Sequence, residues 1–328
     1  MHHIHFILFA ALLAIPERSF PMQHVAVQKQ VAQGQAMVQQ SVTSCTWPII
    51  TALVTAEQNQ SIGPDLWWLV TNEQQGRFLR LFTQFRHLAG RFPEIVSMCS
   101  RSIPAINRFL AEKGFPEVQL EDNLGPGGVG VASVLKLFVQ WLVPGKQSTV
   151  HANGSAYPAA KLETAFRLLR VPGHEHLIVE IRTVSDDQVF LTMMDCPEDL
   201  DARAMLLSSS INQQGETEHV YSAVLFPMVD LDQKVDISFL CGMAATGRDG
   251  HPVIIAQALQ QTRLQMNEIG AKVESTVAVS MMMGMVLEWK DYIINQPFLM
   301  WIQRPGCELP LFVGWLAPDC WKNPGEIK

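Results

Sequence analysis

The chain has 328 residues, of which 48% are apolar and only 17% are charged, and its net charge is −7. A chain of this length and apolar content can bury a large core, in one large domain or in two ordinary ones. Lys and Arg never form a cluster, which argues against a nucleic-acid partner, because phosphate binding needs concentrated positive charge.

The N-terminus has the features of an export signal. Phe6 to Ile15 form a ten-residue apolar core, which is too short to span a bilayer. We therefore predict a signal peptide over residues 1–20 and a secreted, extracellular protein. His2, His3 and His5 stand where Lys or Arg is usual, so a buried N-terminal helix is the alternative. No later run suits a membrane helix, and we expect no membrane partner.

Helical spacing dominates the part of the chain before residue 144. Apolar residues recur there at i, i+3, i+4 and i+7, which is the period of a helix with one buried face. Cap residues and a Pro-Gly pair mark several ends. The predicted helices are two stretches within Gln35 to Ala56 that are broken near Cys45 to Pro48, then Phe78 to Leu88, Ser102 to Lys113, and Val131 to Val143, the last after a turn-rich loop from Asp122 to Gly130.

Strand patterns dominate the rest of the chain. Runs of β-branched and aromatic residues alternate there with turn residues. The predicted strands are His176 to Thr183, Gln188 to Met194, Val220 to Met228, Val253 to Glu268, Val273 to Ser280, Pro297 to Ile302 and Leu309 to Trp315, with short helices or loops at Glu198 to Ser208 and Leu231 to Gly242. Helices first and antiparallel strands later, around one core, predict an α+β fold.

Leu264 to Ala271 (LQMNEIGA) form the end of a predicted strand, and a long loop and a closing hairpin follow them. This segment resembles the hinge of the serpin family. In serpins a strand ends in Asn-Glu-Glu-Gly-Thr, and an alanine-rich stretch, a variable loop and a closing hairpin follow. Here the strand is Leu264 to Ala271 (LQMNEIGA), and the hairpin is Asn295 to Ile302 (NQPFLMWI) with Leu311 to Trp315. The resemblance is to a divergent, shortened serpin. Weaker similarities extend it to Ser44 to Ala52, Val150 to Phe166 and Ala223 to Met228.

The resemblance implies one large domain over residues 25–322, built from helices and three β-sheets, with an exposed mobile reactive loop at about residues 269–290. It also implies a central strand, which we assign to Val150 to Phe166. Two departures stand out. The tryptophan that serpins carry after this strand is missing, with Leu162 near its place, and the histidine expected before the hinge is Gln260.

Serpin chemistry is not enzymatic, and neither G-x-S-x-G nor H-E-x-x-H occurs in this chain. A protease cleaves the loop, which then inserts as a strand into a large sheet. Strand residues alternate faces, so the core-facing positions must be small or apolar. We assign the hinge to Glu268, Gly270, Ala271, Val273, Ser275 and Val277.

The charges of Lys272 and Glu274 fall on the opposite, outward face of the inserted strand. This polarity favours an inhibitor that acts as a suicide substrate. The alternative is a non-inhibitory serpin that acts as a carrier, chaperone or decoy. The bulk of Val273 and Glu274 favours it, because large side chains slow the insertion of the loop between packed strands. A third possibility is a degenerate product of low stability.

The predicted reactive centre contains no Arg or Lys, so a trypsin-like target is not expected. An apolar residue at the scissile bond suits an elastase- or chymotrypsin-like serine protease. The residues concerned are Met282, Met283, Gly284, Met285 and Val286.

The remaining motifs predict little further chemistry. Six cysteines include no C-x-x-C pair, and we expect no Cys307–Cys320 disulfide, no metal, no cofactor and a monomer. Both histidines of His174-Glu175-His176 would share a face of a strand, as a metal site needs, but a solvated strand start is favoured. Asn59 is a credible glycosylation site, whereas Asn153, also in a sequon, is assigned a buried structural role.

Overall fold

Three β-sheets form the frame of the protein within the described residues. The computed structural model describes residues 39–44, 46–59, 68–121, 123–135, 139–218, 220–247, 250–270 and 290–326. From Gln39 onward these residues belong to one compact unit. The predicted α+β class, with helices and three sheets in a single domain, is confirmed.

Four α-helices and sixteen β-strands are present in this part of the chain. The helices are α1 (Thr46–Asn59), α2 (Glu73–Phe85), α3 (Ile103–Glu112) and α4 (Leu200–Gln214). The strands are β1 (Val42–Thr43), β2 (Ile95–Ser100), β3 (Gly128–Leu135), β4 (Lys146–Ala152), β5 (Ser155–Leu162), β6 (Phe166–Arg170), β7 (Ile178–Arg182), β8 (Gln188–Met193), β9 (Glu216–Glu218), β10 (Tyr221–Pro227), β11 (Val229–Val235), β12 (Ala244–Thr246), β13 (Pro252–Met266), β14 (Lys290–Ile293), β15 (Phe298–Gln303) and β16 (Phe312–Leu316).

The strands divide into a seven-stranded, a four-stranded and a five-stranded sheet. The seven-stranded sheet has the order β1-β16-β15-β8-β7-β6-β9, and the four-stranded sheet has the order β14-β10-β5-β4. The third, which we call the hinge sheet, has the order β11-β13-β3-β2, with β12 paired to the first residues of β13. The predicted extended stretch at residues 253–268 and both late hairpins are confirmed.

Both faces of the hinge sheet are buried around β3. On one face α1 contributes Ile50 and Leu53, which share a core cluster with Val131. On the other face α3 contributes Ile106, which packs with Ala132 of β3 and with Leu259 of β13. Helix α3 starts where the sequence predicts it, because the Ser102 side chain accepts a hydrogen bond from the backbone N–H of Ala105.

The predicted helix at Val131 to Val143 is wrong. Residues 128–135 form β3, and all eight of them are buried. A strand that is covered on both faces has a continuous apolar pattern, which periodicity cannot distinguish from a buried helix. Its valines and glycines favour a strand, because β-branched residues fit a pleated surface and glycine weakens a helix.

Two further assignments need correction. Val150 to Phe166 is not a central strand. It covers the end of β4 and all of β5, which form a hairpin at one edge of the four-stranded sheet, and it ends at the first residue of β6. Asn153 is exposed at the tip of that hairpin, so its predicted buried role is also wrong. Leu231 to Gly242, predicted as short helices or loops, begins instead with β11 and ends in a short 3-10 turn.

The described cysteines carry no disulfide. Cys99, Cys196, Cys241, Cys307 and Cys320 are free thiols. None of the helices in the described ranges is both long and apolar enough to cross a membrane.

Arg304 ties the hairpin of β15 and β16 to two other parts of the molecule. Its guanidinium donates hydrogen bonds of 2.9 Å to both carboxylate oxygens of Asp187, which lies in the turn between β7 and β8. It also donates to Glu94, next to the start of β2, at 2.7 Å. Hydrogen bonds to these two carboxylates raise the pKa of Arg304 further above its ordinary value. The seven-stranded sheet and the hinge sheet are thereby joined by one cation.

We expect Arg304→Met to lower the free energy of unfolding by about 3 kcal/mol, because the carboxylate of Asp187 is 2% exposed and would lose its cation. Urea unfolding measures the change. Arg77→Met is the matched control, because the exposed Arg77–Glu73 pair contributes well under about 1 kcal/mol. Equal losses in the two variants would contradict the role of Arg304.

Candidate functional site: the hinge and the β3–β13 seam

Residues 267–270, which we call the hinge, form a tight turn at the end of β13. Gly270 has a φ of +88°, a conformation that side chains rarely adopt. It faces Gln140 in an isolated bridge. A Cβ atom at residue 270 would lie 2.6 Å from both the Trp141 nitrogen and the Val139 carbonyl oxygen. Glycine is therefore required here by close approach as well as by φ.

Trp141 is the main side chain beneath the hinge. It is 1% exposed, and its indole Nε1 donates a hydrogen bond of 2.9 Å to the carbonyl oxygen of Asn267. Its backbone N–H donates to the carbonyl of Ile269 at 3.3 Å, and its ring meets that of Phe226 edge-on with a centroid distance of 6.1 Å. Trp141 thus stabilises the turn through a hydrogen bond of its backbone and another of its side chain.

The polar side chains of the hinge also make hydrogen bonds, although the Oε2 atom of Glu268 is buried without a partner among the described residues. The Asn267 amide donates to the Gly325 carbonyl at 3.2 Å, while its Oδ1 accepts from the backbone N–H of Ile269 at 2.9 Å. The Glu268 carboxylate accepts from the side chain of Gln147 at the start of β4 at 2.8 Å. These bonds connect the hinge to the tail after β16 and to the four-stranded sheet.

The seam is the pairing of β3 with β13, in which Ile254 to Thr262 face Gly128 to Leu135. The two strands run parallel and pair directly. Their other partners, β2 and β11, are antiparallel to them. Parallel pairing is slightly less stable per residue than antiparallel pairing, so the seam is the weakest type of contact in this sheet.

Four polar side chains lie side by side on the core face of the seam. We call them the polar row, and they are Ser97, Ser133, Gln260 and Thr262. Ser97 of β2 faces Ser133 of β3, and their hydroxyls are 2.9 Å apart. Ser133 faces Gln260 of β13, whose amide donates to Thr262 at 3.1 Å. The Oε1 atom of Gln260 is buried and has no partner among the described residues. A buried polar atom without a hydrogen bond destabilises the closed seam, commonly by about 1–3 kcal/mol.

The outer face of the seam is covered by α3 and by the chain that follows it. The guanidinium of Arg263 in β13 lies over the Phe115 ring, 5.0 Å from its centroid. The side chain of Gln257 accepts from the backbone N–H of Glu121 and donates to the carbonyls of Glu121 and Asn123. We call residues 115–121 together with Asn123 the strap, because their contacts bind β13 from outside.

Comparison with solved structures identifies this architecture. Uncleaved ovalbumin matches with a TM-score of 0.56 at 12% identity, over 84% of this chain and 93% of that one. Serpin48 of the insect Tenebrio molitor matches at 0.50 and 14%, over 85% and 91%. The chain has the serpin fold. Human thyroxine-binding globulin complexed with thyroxine matches at 0.51 and 9%, over 82% and 98%.

No protein-family profile and no curated protein matches the sequence. The resemblance predicted from the hinge and the closing hairpin is nevertheless confirmed at the level of the fold. In the hinge sheet the inner strand that pairs directly with β13 is β3, whereas Val150 to Phe166 contributes to the four-stranded sheet. Trp141 follows β3 in the chain and lies under the hinge, while Leu162 lies in β5.

The structure describes only part of the predicted site. Glu268 and Gly270 lie in the hinge, at the point where β13 ends. The other residues that the sequence analysis assigned to the hinge, and those predicted for the reactive centre, lie outside the described residues, as do the predicted signal peptide and the predicted strand from Val273 to Ser280. These positions are Ala271, Val273, Ser275, Val277, Met282, Met283, Gly284, Met285 and Val286.

Sequence reasoning missed Ser133 and Trp141, because both fell in the segment that was assigned to a helix. A strand assignment for residues 128–135 would have placed Ser133 at its centre, opposite Gln260. The glycines and valines of β3 were the available signal. Gln260 was found as the substitute for the expected histidine, and the structure places it in the seam.

His174 connects α4 to β8 through two hydrogen bonds. It belongs to no group of metal-ligating side chains among the described residues. It lies in the turn before β7 and is partly buried rather than solvated. Its Nδ1 is 3.3 Å from the Arg203 guanidinium of α4, and its Nε2 is 2.7 Å from the Thr192 hydroxyl. A guanidinium only donates, so Nδ1 accepts and the proton is on Nε2. Burial, and then Arg203, lower the pKa of His174 to about 4.

We expect Gly270→Ala to lower the free energy of unfolding by about 3 kcal/mol, because φ strain adds to the collision with Trp141. The matched control is Gly306→Ala, which has a φ of +79° but nothing within 4 Å of a new Cβ. The control should lose only about 1 kcal/mol. Urea unfolding of both variants tests this, and similar losses would contradict close packing at the hinge.

We expect acid to destabilise the protein through His174. Its folded pKa of about 4 lies below the ordinary value of 6.5, so the unfolded state binds more protons between these values. Stability is complete above pH 6.5 and falls as the pH drops toward 4. Because the ring is only partly buried, the loss is about 1–2 kcal/mol. Urea unfolding across this range should give a flatter pH profile for His174→Gln, and an unchanged slope would refute the assignment.

Proposed function

We propose that this protein is an inhibitor of a serine protease that acts as a suicide substrate. The observation that supports it is the seam, where β3 and β13 pair in parallel and β13 leads directly into the hinge. A strand that turns back at Gly270 would run antiparallel to β13 and also to β3. Its entry would replace one parallel ladder by two antiparallel ones, which are more stable per residue.

The closed seam has features that favour such an entry. Its core face carries the polar row, with the unpartnered Oε1 of Gln260 in the middle. The free energy lost there is recoverable when the strands separate and the amide finds a new partner. Loop insertion would then proceed downhill from a native state that persists for kinetic reasons.

The sequence after the hinge agrees with insertion in its polarity. Ala271, Val273, Ser275 and Val277 would face the core, while Lys272 and Glu274 would face outward. Cleavage within Met282 to Val286 would release the loop, and the absence of Arg and Lys there favours an elastase- or chymotrypsin-like protease. We further propose that the protein is secreted, monomeric and not an enzyme.

The second candidate is a non-inhibitory serpin, such as a carrier. Human thyroxine-binding globulin, complexed with thyroxine, shares the fold, so the fold also occurs in a protein that binds a small molecule. In this chain the bulk of Val273 and Glu274 favours the alternative, because large side chains slow entry between packed strands. A protease that completes hydrolysis before insertion escapes.

The decisive experiment is incubation of the full chain with chymotrypsin and with elastase, followed by denaturing electrophoresis. Inhibition predicts a covalent complex that survives boiling in detergent. Ser275→Glu should be cleaved without forming the complex, because it places a charge on the core-facing side of the inserted strand. Glu274→Lys is the matched control and should keep the complex, because its charge faces outward.

Clean cleavage of the unmodified protein by both proteases, with no complex, would overturn the inhibitor and favour the carrier. Equal complex formation by Ser275→Glu and Glu274→Lys would leave inhibition standing but show that the assigned faces are wrong.

A further inference from the structure

The hairpin of β4 and β5 turns through two residues at an open tip. Ala152 pairs with Ser155, which leaves Asn153 and Gly154 as the turn. Their φ angles are +50° and +78°. Positive φ at both central residues defines a type I′ turn, the form in which Asn-Gly is strongly preferred. The sequon Asn153-Gly154-Ser155 therefore occupies a hairpin tip and not a strand interior.

This tip has room for a large substituent. Asn153, Gly154 and Ser155 are all exposed, and a Cβ atom built on Gly154 meets nothing within 4 Å. No described residue hydrogen-bonds to the Asn153 amide. The other candidate differs, because the Asn59 amide donates to the Cys99 carbonyl at 3.2 Å.

We infer that Asn153 carries an N-linked glycan in the exported protein. The donor class is an oligosaccharide linked to a lipid through pyrophosphate, and the acceptor is an Asn in an Asn-x-Ser sequon. The Nδ2 atom of Asn153 bonds to the anomeric carbon of the first sugar. The bond from that carbon to the pyrophosphate oxygen breaks, the lipid pyrophosphate leaves, and one amide proton passes to a base of the transferase.

The position of the tip keeps such a glycan away from the seam. The opposite end of β4 contacts the hinge, where the Gly145 N–H donates to the Glu268 carbonyl at 2.7 Å. The seven residues of β4 separate that end from Asn153 by about 20 Å at the usual rise per residue. The proposed loop could thus move while the glycan stays in solvent.

The glycan also sits where a sheet edge needs protection. In the order of the four-stranded sheet, β4 is an outer strand among the described residues. Outer strands present unpaired backbone groups that can pair with another chain, and proteins commonly shield them. A sugar at the tip of β4 would obstruct such pairing without altering the ladder to β5.

This inference rests on the export proposed above, so the test separates a failure of export from a failure of glycosylation at Asn153. The full chain is secreted from an animal cell line with its own N-terminus and, in a second arm, behind an unrelated signal peptide. Purified protein is treated with a peptide N-glycosidase in water labelled with oxygen-18, and peptides covering residue 153 are analysed by mass spectrometry. Glycan release leaves labelled aspartate at residue 153 only in the enzyme-treated sample, whereas spontaneous deamidation of the Asn-Gly pair takes oxygen from the same water and labels a mock digest without enzyme equally. The label that counts is therefore the excess over the mock digest.

We expect labelled aspartate at residue 153 in both arms, and its loss in Ser155→Ala with retention in Ser155→Thr. Absence of the label behind the unrelated signal peptide would overturn the inference, whatever the native N-terminus does. Labelling in that arm alone would support Asn153 as the acceptor and refute export by the native N-terminus. Loss of the label in Ser155→Thr would also count against the site.

Discussion

The parallel pairing of β3 with β13 is the contact on which the rest of this structure depends. It lies in the middle of the hinge sheet, between two antiparallel neighbours. Helix α1 and its cluster cover one face, and α3 with the strap covers the other. Whatever opens the seam must act against both layers. The segment after β3 also supplies Trp141, so the strand that forms the seam is continuous with the residue that supports the hinge.

The two faces of the seam contribute to its stability in opposite ways. The core face is weakened by the polar row and by the unpartnered oxygen of Gln260. The outer face is strengthened by the hydrogen bonds of Gln257 to the strap and by the contact of Arg263 with Phe115. The unpartnered buried oxygen thus lowers the stability of the seam, whereas the contacts with the strap raise it.

The sequence carried enough information to identify the fold but not to place the central strand. The order of residues from Asn267 to Gly270 and the closing hairpin are local patterns, and local patterns survive wide divergence. Strand β3 is buried on both faces, so its hydrophobicity has no period, and it resembled a helix. That one error moved the central strand to β4 and β5. It also assigned the exposed Asn153 to a buried position, although the Asn-Gly pair is itself a turn signal. Contacts such as Arg304 with Asp187 and Glu94 join distant segments and leave no local pattern.

The polar row contains no group that gains or loses a proton as the pH of the solution changes. Ser97, Ser133, Gln260 and Thr262 do not ionise near neutral pH, since they carry only hydroxyls and amides. These four residues therefore keep the same protonation as the pH falls. His174, which joins α4 to the seven-stranded sheet, differs from them, because burial lowers its pKa to about 4. Acidification toward that value would destabilise this contact between α4 and the sheet and leave the protonation of the polar row unchanged.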